Sequence, residues 1–518
     1  MPLASGPSFS RLLFALLLTV LCCTSGMAAQ DKVLIVGGPW GPKTLDVHKS
    51  GYVFKRLGVV DNLIEVDHSL KLTPGLAESW TVSPDKTTWT FTLRPGVRFH
   101  DGTPLTAGRV KENLERLQRV GSLLKDVPLV RVEAQGDHTL ILATSEPFAP
   151  LAAYLAMGET APLAPSSFDQ AGEVVKPVGT GPFVFEDWIV KEQVTLTRNE
   201  MYWGRQKAQV DKVIYRAVPD AVTRMAMLRA GDLDIAQILP PDAIKSLEAS
   251  GKFDIMRTPI GRCRMASLNM AREPFSDLRV RKAANLAVNR QDLVDYVLEG
   301  VGETATTLFP PIVHWANDRL PGFAHAPAEA GRLLEEAGWK DTDGDGIREK
   351  GGRTLKVKLV TYPERAALPP TAEVMQAQLR EVGFDVEVVV TQVDAANALR
   401  NQGDFDMNLV GRGLLFVPDP DDNLMLDYYS ANTVKNGWGA YHYSNPEVDR
   451  LLLEGRALFD QEDRKVVYDQ VQALLLEDAP MVYLNYYVNV DAVATGVEGY
   501  QMHPTESSFH LETVRLTR

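Results

Sequence analysis

The histidines and cysteines of this chain form none of the spacings that mark a catalytic or structural metal site. Nine histidines are present, but none lies in an H-E-x-x-H or H-x-H arrangement. No cysteine–histidine cluster occurs, so a structural zinc site is not predicted. No G-x-S-x-G or S-x-x-K element supplies a nucleophile with its base. These observations predict a protein that is not an enzyme and holds no resident cofactor.

A glycine-rich stretch near the N-terminus resembles a phosphate-binding loop but does not complete the pattern. Gly37–Thr44 reads GGPWGPKT, whereas a P-loop has glycine directly before its lysine, so that backbone N–H groups can close around phosphate. Pro42 occupies that position and has no N–H. The stretch therefore argues against nucleotide binding.

An acidic run later in the chain has the opening of a calcium loop. Asp341, Asp343 and Asp345 alternate and Gly346 follows, which matches positions one, three, five and six of such a loop. The twelfth position, where a bidentate glutamate belongs, is Gly352. We therefore favour an acidic turn or β-hairpin and keep calcium binding as the alternative.

The first 28 residues have the three parts of a secretory signal peptide. Arg11 is the only charge before Asp31, the apolar run Leu12–Leu21 is too short to span a bilayer as a stable helix, and small residues follow up to Ala28. We predict cleavage after Ala28, with a retained anchor helix as the alternative. Lipidation at Cys22 or Cys23 is poorly supported, because a bulky leucine rather than small residues precedes Cys22.

Composition limits the partners of the remaining chain. Removing residues 1–28 from 518 leaves 490, and losing Arg11 changes the formal net charge from −13 to −14. An acidic surface argues against nucleic acid and anionic lipid as partners. One cysteine remains, Cys263, so no intrachain disulfide forms. We expect a monomer of two or more lobes.

The elements that would position functional residues are mixed helices and strands. Thr88–Leu93 alternates polar and apolar residues, which predicts a half-buried strand. The pattern over 278–298 predicts one long helix. A strand over 355–359, a helix over 371–382 and a strand over 384–390 predict a parallel crossover and hence an α/β lobe.

Several short stretches carry a resemblance to a known family. They are Leu72–Trp80 (LTPGLAESW), Thr87–Arg94 (TTWTFTLR), Val97–Gly102 (VRFHDG), Gly179–Phe183 (GTGPF), Arg198–Gly204 (RNEMYWG), Gly231–Asp234 (GDLD), Leu278–Ala283 (LRVRKA) and Ala287–Arg290 (AVNR). In their order and spacing they resemble the extracytoplasmic solute-binding proteins of the peptide/nickel ABC importers, family 5. The resemblance covers nearly the whole mature chain.

The resemblance implies an α/β, two-lobed periplasmic-binding-protein fold of type II-like architecture with an enlarged lobe I. Lobe I would hold residues 29–265, with 484–518 returning to it, and lobe II residues 266–483. Two strands would cross between the lobes near 264–269 and 481–485. The ligand would lie in the cleft, over which the lobes close by a hinge motion.

The resemblance also indicates which residues would line the cleft. His48 resembles an Asn-Pro-His element of nickel-binding members, and His503 and Thr505 lie in a C-terminal stretch that lines the cleft there. His48 and His503 are the candidate metal ligands, because neutral imidazole binds nickel, copper and zinc. Trp40 and Trp438 are expected to flank the cleft.

Peptide-binding members place an aspartate three residues before an Asp-Pro element to pair with the peptide's α-ammonium group. That element is Asp419-Pro420, so the matching position is Phe416, which cannot neutralise an ammonium. Asp419, Asp421 or Asp422 would have to substitute for it. Outside the Asp-Pro stretch, Arg412 is a candidate partner for a ligand carboxylate, with a structural ion pair as the alternative.

The resemblance implies a periplasmic component of an ABC importer that works with permease subunits in the inner membrane. We expect it to capture nickel or another transition metal as a small chelate. The alternative is an oligopeptide- or dipeptide-binding protein of the same transporter family.

Overall fold

The computed structural model describes residues 32–120, 123–433 and 440–518. Within these ranges no helix has the length and apolar character needed to cross a membrane. The predicted signal peptide, residues 1–28, and the predicted cleft residue Trp438 lie outside the described residues.

The strands follow one another along the chain and alternate with helices. They are β1 (Val33–Gly38), β2 (Ile64–Val66), β3 (Leu72–Pro74), β4 (Ala77–Val82), β5 (Thr88–Leu93), β6 (Leu129–Gln135), β7 (Thr139–Thr144), β8 (Phe183–Ile189), β9 (Gln193–Arg198), β10 (Lys212–Ala217), β11 (Ile235–Ala236), β12 (Phe253–Leu268), β13 (Glu303–Thr304), β14 (Glu349–Lys350), β15 (Arg353–Thr354), β16 (Lys356–Thr361), β17 (Asp385–Val390), β18 (Met407–Gly413), β19 (Met481–Ala494), β20 (Val497–Glu498) and β21 (Arg515–Leu516).

The α-helices are α1 (Val47–Arg56), α2 (Ala107–Val120), α3 (Leu151–Tyr154), α4 (Ala221–Ala230), α5 (Ile244–Ala249), α6 (Leu278–Ala287), α7 (Arg290–Asp292), α8 (Pro327–Glu336), α9 (Leu368–Glu381), α10 (Val393–Asn401), α11 (Pro420–Tyr428), α12 (Ser430–Thr433), α13 (Pro446–Ala457) and α14 (Gln461–Asp478). Short 3-10 turns lie at Leu123–Asp126, Gly158–Thr160, Pro165–Ser167, Pro241–Ala243 and Leu511–Thr513, and a π-helical turn at Leu293–Val297.

Local patterns predicted several of these elements. In β5 every second residue is buried, as its alternation predicts. Strands β16 and β17 pair in parallel with α9 between them in the chain, which confirms the predicted crossover. The single helix predicted over 278–298 is wrong. It is broken at Val288, because the Asn289 side chain caps a new helix by accepting a hydrogen bond from the Gln291 amide.

One large sheet runs through both halves of the molecule. Its order among the described residues is β17-β16-β18-β12-β19-β11-β1-β10-β9-β8, with β13 also pairing with β19. Strands β12 and β19 pair with each other along most of their length, but their register shifts between Pro259 and Cys263. Residues 264–268 already pair with β18, so this break precedes the predicted crossing at 264–269.

The hydrophobic clusters separate at the same place. One cluster is built from buried residues between Cys263 and Tyr486. Another combines residues between Leu34 and Ile235 with residues between Val493 and Val514. A third lies under the four-stranded sheet β4-β5-β7-β6 and takes in Val417 from the other half. On the basis of this division we propose the lobe limits given above. Lobe I holds residues 29–265 with 484–518, and lobe II holds residues 266–483.

Candidate ligand-binding cleft

The two lobes meet at a stacked arrangement of aromatic and guanidinium groups. Trp40 follows β1, and Arg365 lies between β16 and α9. The Arg365 guanidinium carbon is 5.0 Å from the Trp40 ring centroid and 5.1 Å from that of Tyr487 on β19. The Tyr215 hydroxyl donates a 2.7 Å hydrogen bond to the Trp40 carbonyl. A Cβ at Gly38 would lie 2.2 Å from that hydroxyl, so the close approach requires glycine there.

Glu506 is the carboxylate at the centre of this arrangement. Its Oε2 accepts hydrogen bonds of 3.0 and 2.5 Å from the Arg262 guanidinium. Its Oε1 lies 3.5 Å from Arg365 Nη2 and accepts a 3.3 Å hydrogen bond from Asn489. Burial opposes ionisation of Glu506, but Arg262, Arg365 and Arg56 outweigh it and lower its pKa to about 2.

Several buried donors around Glu506 are unused. Arg365 Nη1, the Tyr487 hydroxyl and Arg264 Nε have no hydrogen-bond partner in the part of the chain that the structure describes. The Arg264 guanidinium lies 4.5 Å from the Tyr487 centroid and donates to Asn485 through its other side. An unpaired buried donor costs free energy, so these atoms are the natural partners of ligand oxygens.

The charge balance of this region is positive. The guanidinium groups of Arg262 and Arg365 face the Glu506 carboxylate, Arg56 donates to the Glu506 backbone carbonyl, and Arg264 lies over the Tyr487 ring. Glu159 also faces Arg56, but burial raises the pKa of Glu159 and disfavours its charge. Such a site suits an anion, and guanidinium groups bind carboxylates through paired hydrogen bonds.

Residues of both lobes line a crevice beside Arg365 and Tyr487. Its volume is about 50 Å³, and its wall includes Leu239 from one lobe and Leu298 from the other. Small-molecule sites usually measure several hundred Å³. A ligand therefore needs the lobes to separate before it can enter.

His48 lies in a buried network and not in the crevice. Arg116 donates to both carboxylate oxygens of Asp46, at 3.1 and 2.8 Å, and to His48 Nδ1 at 2.9 Å. The other ring nitrogen faces the Ala161 carbonyl at 3.3 Å. Burial and then Arg116 lower the pKa of His48 to about 4. Both ring nitrogens have protein partners in this structure, so His48 would have to give up one of these contacts to bind a metal, as predicted for it.

His503 is also separate from the crevice. Its ring packs against those of His68 and His510, and its Nδ1 lies 2.7 Å from the hydroxyl of Thr505. It lines a hollow that contains Trp203 and none of the crevice residues named above. The structure therefore does not bring His48 and His503 together at the lobe interface.

Arg412 is an ion-pair partner inside lobe II. It donates to both oxygens of Asp427, at 2.8 and 3.1 Å, and both side chains are buried. This is the structural alternative to pairing with a ligand carboxylate. Phe416, in contrast, reaches the cleft: its ring centroid lies 5.5 Å from the guanidinium carbon of Arg262.

The predicted peptide anchors are neutralised within the protein. Asp419 accepts hydrogen bonds of 2.6 and 2.7 Å from Arg464 and caps α11. Asp421 accepts bonds of 3.0 and 2.9 Å from Arg456 and one of 3.1 Å from the Tyr154 hydroxyl. Each of the two predicted ligand-binding carboxylates, Asp419 and Asp421, therefore already pairs with an arginine of the protein.

The acidic run is an exposed turn. Asp341 accepts hydrogen bonds from the Gly344 and Gly346 amides, and Asp345 accepts one from Ile347. The carboxylates therefore stabilise the turn itself, as the structural interpretation expects.

Sequence reasoning missed the residues that form the cleft. No motif spacing in the sequence marks these residues, which are Arg262, Arg365, Tyr487 and Glu506. Glu506 lies within the C-terminal stretch expected to line the cleft, and Arg262 and Tyr487 lie beside the predicted crossings. A search for charged or aromatic residues next to the crossing strands would have found two of the four, Arg262 and Tyr487.

Comparisons with known proteins agree with this architecture. Residues 71–435 match the model of "Bacterial extracellular solute-binding proteins, family 5 Middle". The "Nickel-binding periplasmic protein" of Escherichia coli (strain K12) is 29% identical over 92% of this chain and 93% of its own. The structure of NikA from Brucella suis in complex with Fe(III)-EDTA has a TM-score of 0.85 at 27% identity, covering 94% of this chain and 100% of the other.

A third similar structure is the oligopeptide-binding protein AppA of Bacillus subtilis in complex with a nonapeptide. It has a TM-score of 0.81 at 26% identity, covering 94% of this chain and 99% of the other. The predicted two-lobed α/β fold is confirmed.

Proposed function

We propose, because this chain belongs to family 5 of the bacterial extracellular solute-binding proteins, that it captures nickel or another transition metal as a small anionic chelate. It would do so in the periplasm, after removal of residues 1–28, as the monomeric substrate-binding component of an ABC importer with inner-membrane permease subunits. The family binds solutes and does not transform them, so the prediction that the chain is not an enzyme is confirmed.

The observation that carries the proposal is the environment of Arg365. Its guanidinium is 3% exposed, stacks between Trp40 and Tyr487, and keeps Nη1 without a partner among the described residues. A carboxylate of a chelator would accept hydrogen bonds from Arg365 Nη1 and from the Tyr487 hydroxyl. EDTA, bound to Fe(III) in the Brucella suis structure, is itself a polycarboxylate.

The chelator, and not the protein, would supply the metal ligands in the cleft. His48 has partners on both ring nitrogens, and His503 lines a different hollow. Protein guanidinium groups would then recognise the negative charge of the complex. Selectivity would follow from the charge and shape of the chelate.

A peptide with a free N-terminus is the alternative that the experiment must separate. The structure of Bacillus subtilis AppA contains a nonapeptide. In this chain Phe416 occupies the anchor position, and Asp419 and Asp421 are paired with arginines. These contacts favour the anionic chelate over the peptide.

The test is native mass spectrometry of the mature protein from a periplasmic extract, followed by calorimetric titration with Ni(II)–histidine, Fe(III)–EDTA, the free chelators and short peptides. We expect a carried mass that contains a metal and an organic chelator. Arg365→Gln should weaken chelate binding about 10- to 100-fold, because it removes charge-assisted hydrogen bonds of about 1.5–3 kcal/mol.

Two further variants complete the design. Tyr487→Phe removes only the unpartnered hydroxyl and should fold like the wild type while binding the chelate more weakly. Arg353→Gln changes a guanidinium that is 74% exposed and should bind like the wild type. A distribution of peptide masses without metal, or unchanged chelate binding by Arg365→Gln and Tyr487→Phe, would sink the proposal.

A further inference from the structure

Three histidines from two distant parts of the sequence meet in lobe I. The ring centroid of His68 is 4.8 Å from that of His503 and 4.9 Å from that of His510, and the last two are 5.7 Å apart. One ring nitrogen of each lies within 4.8 Å of the others. Their positions in the sequence are too far apart to form a recognisable motif.

Two tight turns hold these rings together. His68 lies between β2 and β3, where the Asp67 carboxylate accepts hydrogen bonds from the Ser69 and Lys71 amides. His503 and His510 begin and end a loop whose Phe509 amide donates to the Arg56 carbonyl. His510 itself has a φ of 46°, in the left-handed region.

The ring nitrogens present the chemistry that a metal site needs. His503 is 1% exposed, and Nε2 of both His503 and His510 lacks a hydrogen-bond partner over residues 32–120, 123–433 and 440–518. The carbonyls of Val66 and Asp67 lie near the His503 ring but outside hydrogen-bond geometry to Nε2.

The neighbouring groups orient the rings. Glu512 lies 3.0 Å from His510 Nδ1, the arrangement in which a carboxylate fixes the tautomer and leaves Nε2 for a metal. The Thr505 hydroxyl lies 2.7 Å from His503 Nδ1 and takes the same place beside His503 that Glu512 takes beside His510. Neutral imidazole is the form that binds metal ions.

The surroundings favour a cation. The hollow beside His503 and His510 is lined by three carboxylates and one ammonium, Asp61, Glu65, Glu512 and Lys55. The Lys55 ammonium is already paired with Glu65. A positive ion at the three rings would therefore be attracted by the remaining negative charge.

We propose that His68, His503 and His510 together bind one divalent transition-metal ion of the nickel, copper or zinc class. The site lies in lobe I, and the hollow that His503 and His510 line shares no lining residue with the inter-lobe crevice. Nitrogens that share one tetrahedral ion are about 3.4 Å apart, since metal–nitrogen bonds are about 2.1 Å. Because the three nitrogens lie within 4.8 Å of one another, the rings need to approach by up to about 1.4 Å, to which the exposed His68 side chain contributes by rotation.

The test uses tag-free mature protein stripped of metal and titrated with NiCl2, CuCl2 or ZnCl2 in a non-coordinating buffer. We expect one bound ion per chain. His68→Gln should weaken binding at least tenfold, because it removes one of three ligands without disturbing a buried residue. His138→Gln alters another exposed histidine of lobe I and should bind like the wild type.

A spectroscopic readout and a cleft variant separate this site from the proposed function. The paramagnetic resonance spectrum of bound Cu(II) should show nitrogen coupling that decreases in His68→Gln and in His510→Gln. Arg365→Gln should keep the bound ion even where it loses the chelate. If the wild type binds no stoichiometric ion, or if both histidine variants bind it with unchanged affinity and spectrum, the site does not exist.

Discussion

Asp419→Asn distinguishes a structural carboxylate from a ligand anchor. Asparagine caps a helix as well as aspartate does, so this substitution keeps the cap of α11 and removes the charge. It also replaces one of the two oxygens that accept from Arg464 with an amide NH2, and it leaves the Arg464 side chain, 7% exposed, without its counter-ion. Breaking a buried pair in this way costs about 3–5 kcal/mol. Arg464 keeps hydrogen bonds to the Gly455 carbonyl and the Tyr468 hydroxyl, so we expect the lower end, about 3 kcal/mol.

The assay is urea unfolding followed by circular dichroism, with ligand titration under conditions where each variant is folded. Glu462→Gln, at a side chain that is 79% exposed in the same lobe, should change the free energy of unfolding by less than about 0.5 kcal/mol. The folded Asp419→Asn protein should bind ligand like the wild type. Unchanged stability together with lost binding would refute the structural role of Asp419.

Three further outcomes are expected. Because burial lowers the pKa of His48 and of His100 from 6.5 to about 4, the unfolded chain binds more protons in that window, and stability should fall as the pH is lowered from 6.5 to 4. His48 contributes at most about 3 kcal/mol of this loss. Urea midpoints for the wild type and His48→Gln at several pH values would measure that contribution. Equal pH dependence of the two proteins would contradict a contribution from His48. Trp40→Phe should remove most of the tryptophan emission change that ligand produces, whereas an unaltered change would place Trp40 outside the cleft. Lys43→Ala breaks an exposed inter-lobe pair with Asp394 and should alter unfolding by less than about 1 kcal/mol; a larger effect on the urea midpoint would show that this pair holds the lobes together.

Short-range patterns made the elements predictable, and the same patterns explain the one error. The alternation of Thr88–Leu93 and the strand–helix–strand order over 355–390 depend only on neighbours in the sequence. The break after Ala287 also had a local sign. Asn289 is a preferred capping residue, but the apolar spacing on both sides of it favoured one continuous helix.

The candidate site was less predictable because its chemistry depends on pairs that are distant in sequence. Asp46 pairs with Arg116, which is 70 residues away in the sequence, and Asp419 pairs with Arg464, which is 45 residues away. With 67 acidic and 54 basic residues in the chain, spacing alone cannot select these partners. From the sequence alone, an acidic or histidine side chain therefore looks available to a ligand. Only the fold shows whether an arginine of the protein already pairs with it.

The C-terminal loop joins the two sites that we propose. Glu506, which pairs with Arg262 and faces Arg365, lies three residues after His503 and four residues before His510 in the same loop. An ion held by both histidines would fix the loop that positions Glu506. If ligand closure and metal binding favour the same loop position, each must raise the affinity of the other by the same factor, since coupling between two sites is reciprocal. The ion should then change the affinity for the chelate by the same ratio as the chelate changes the affinity for the ion.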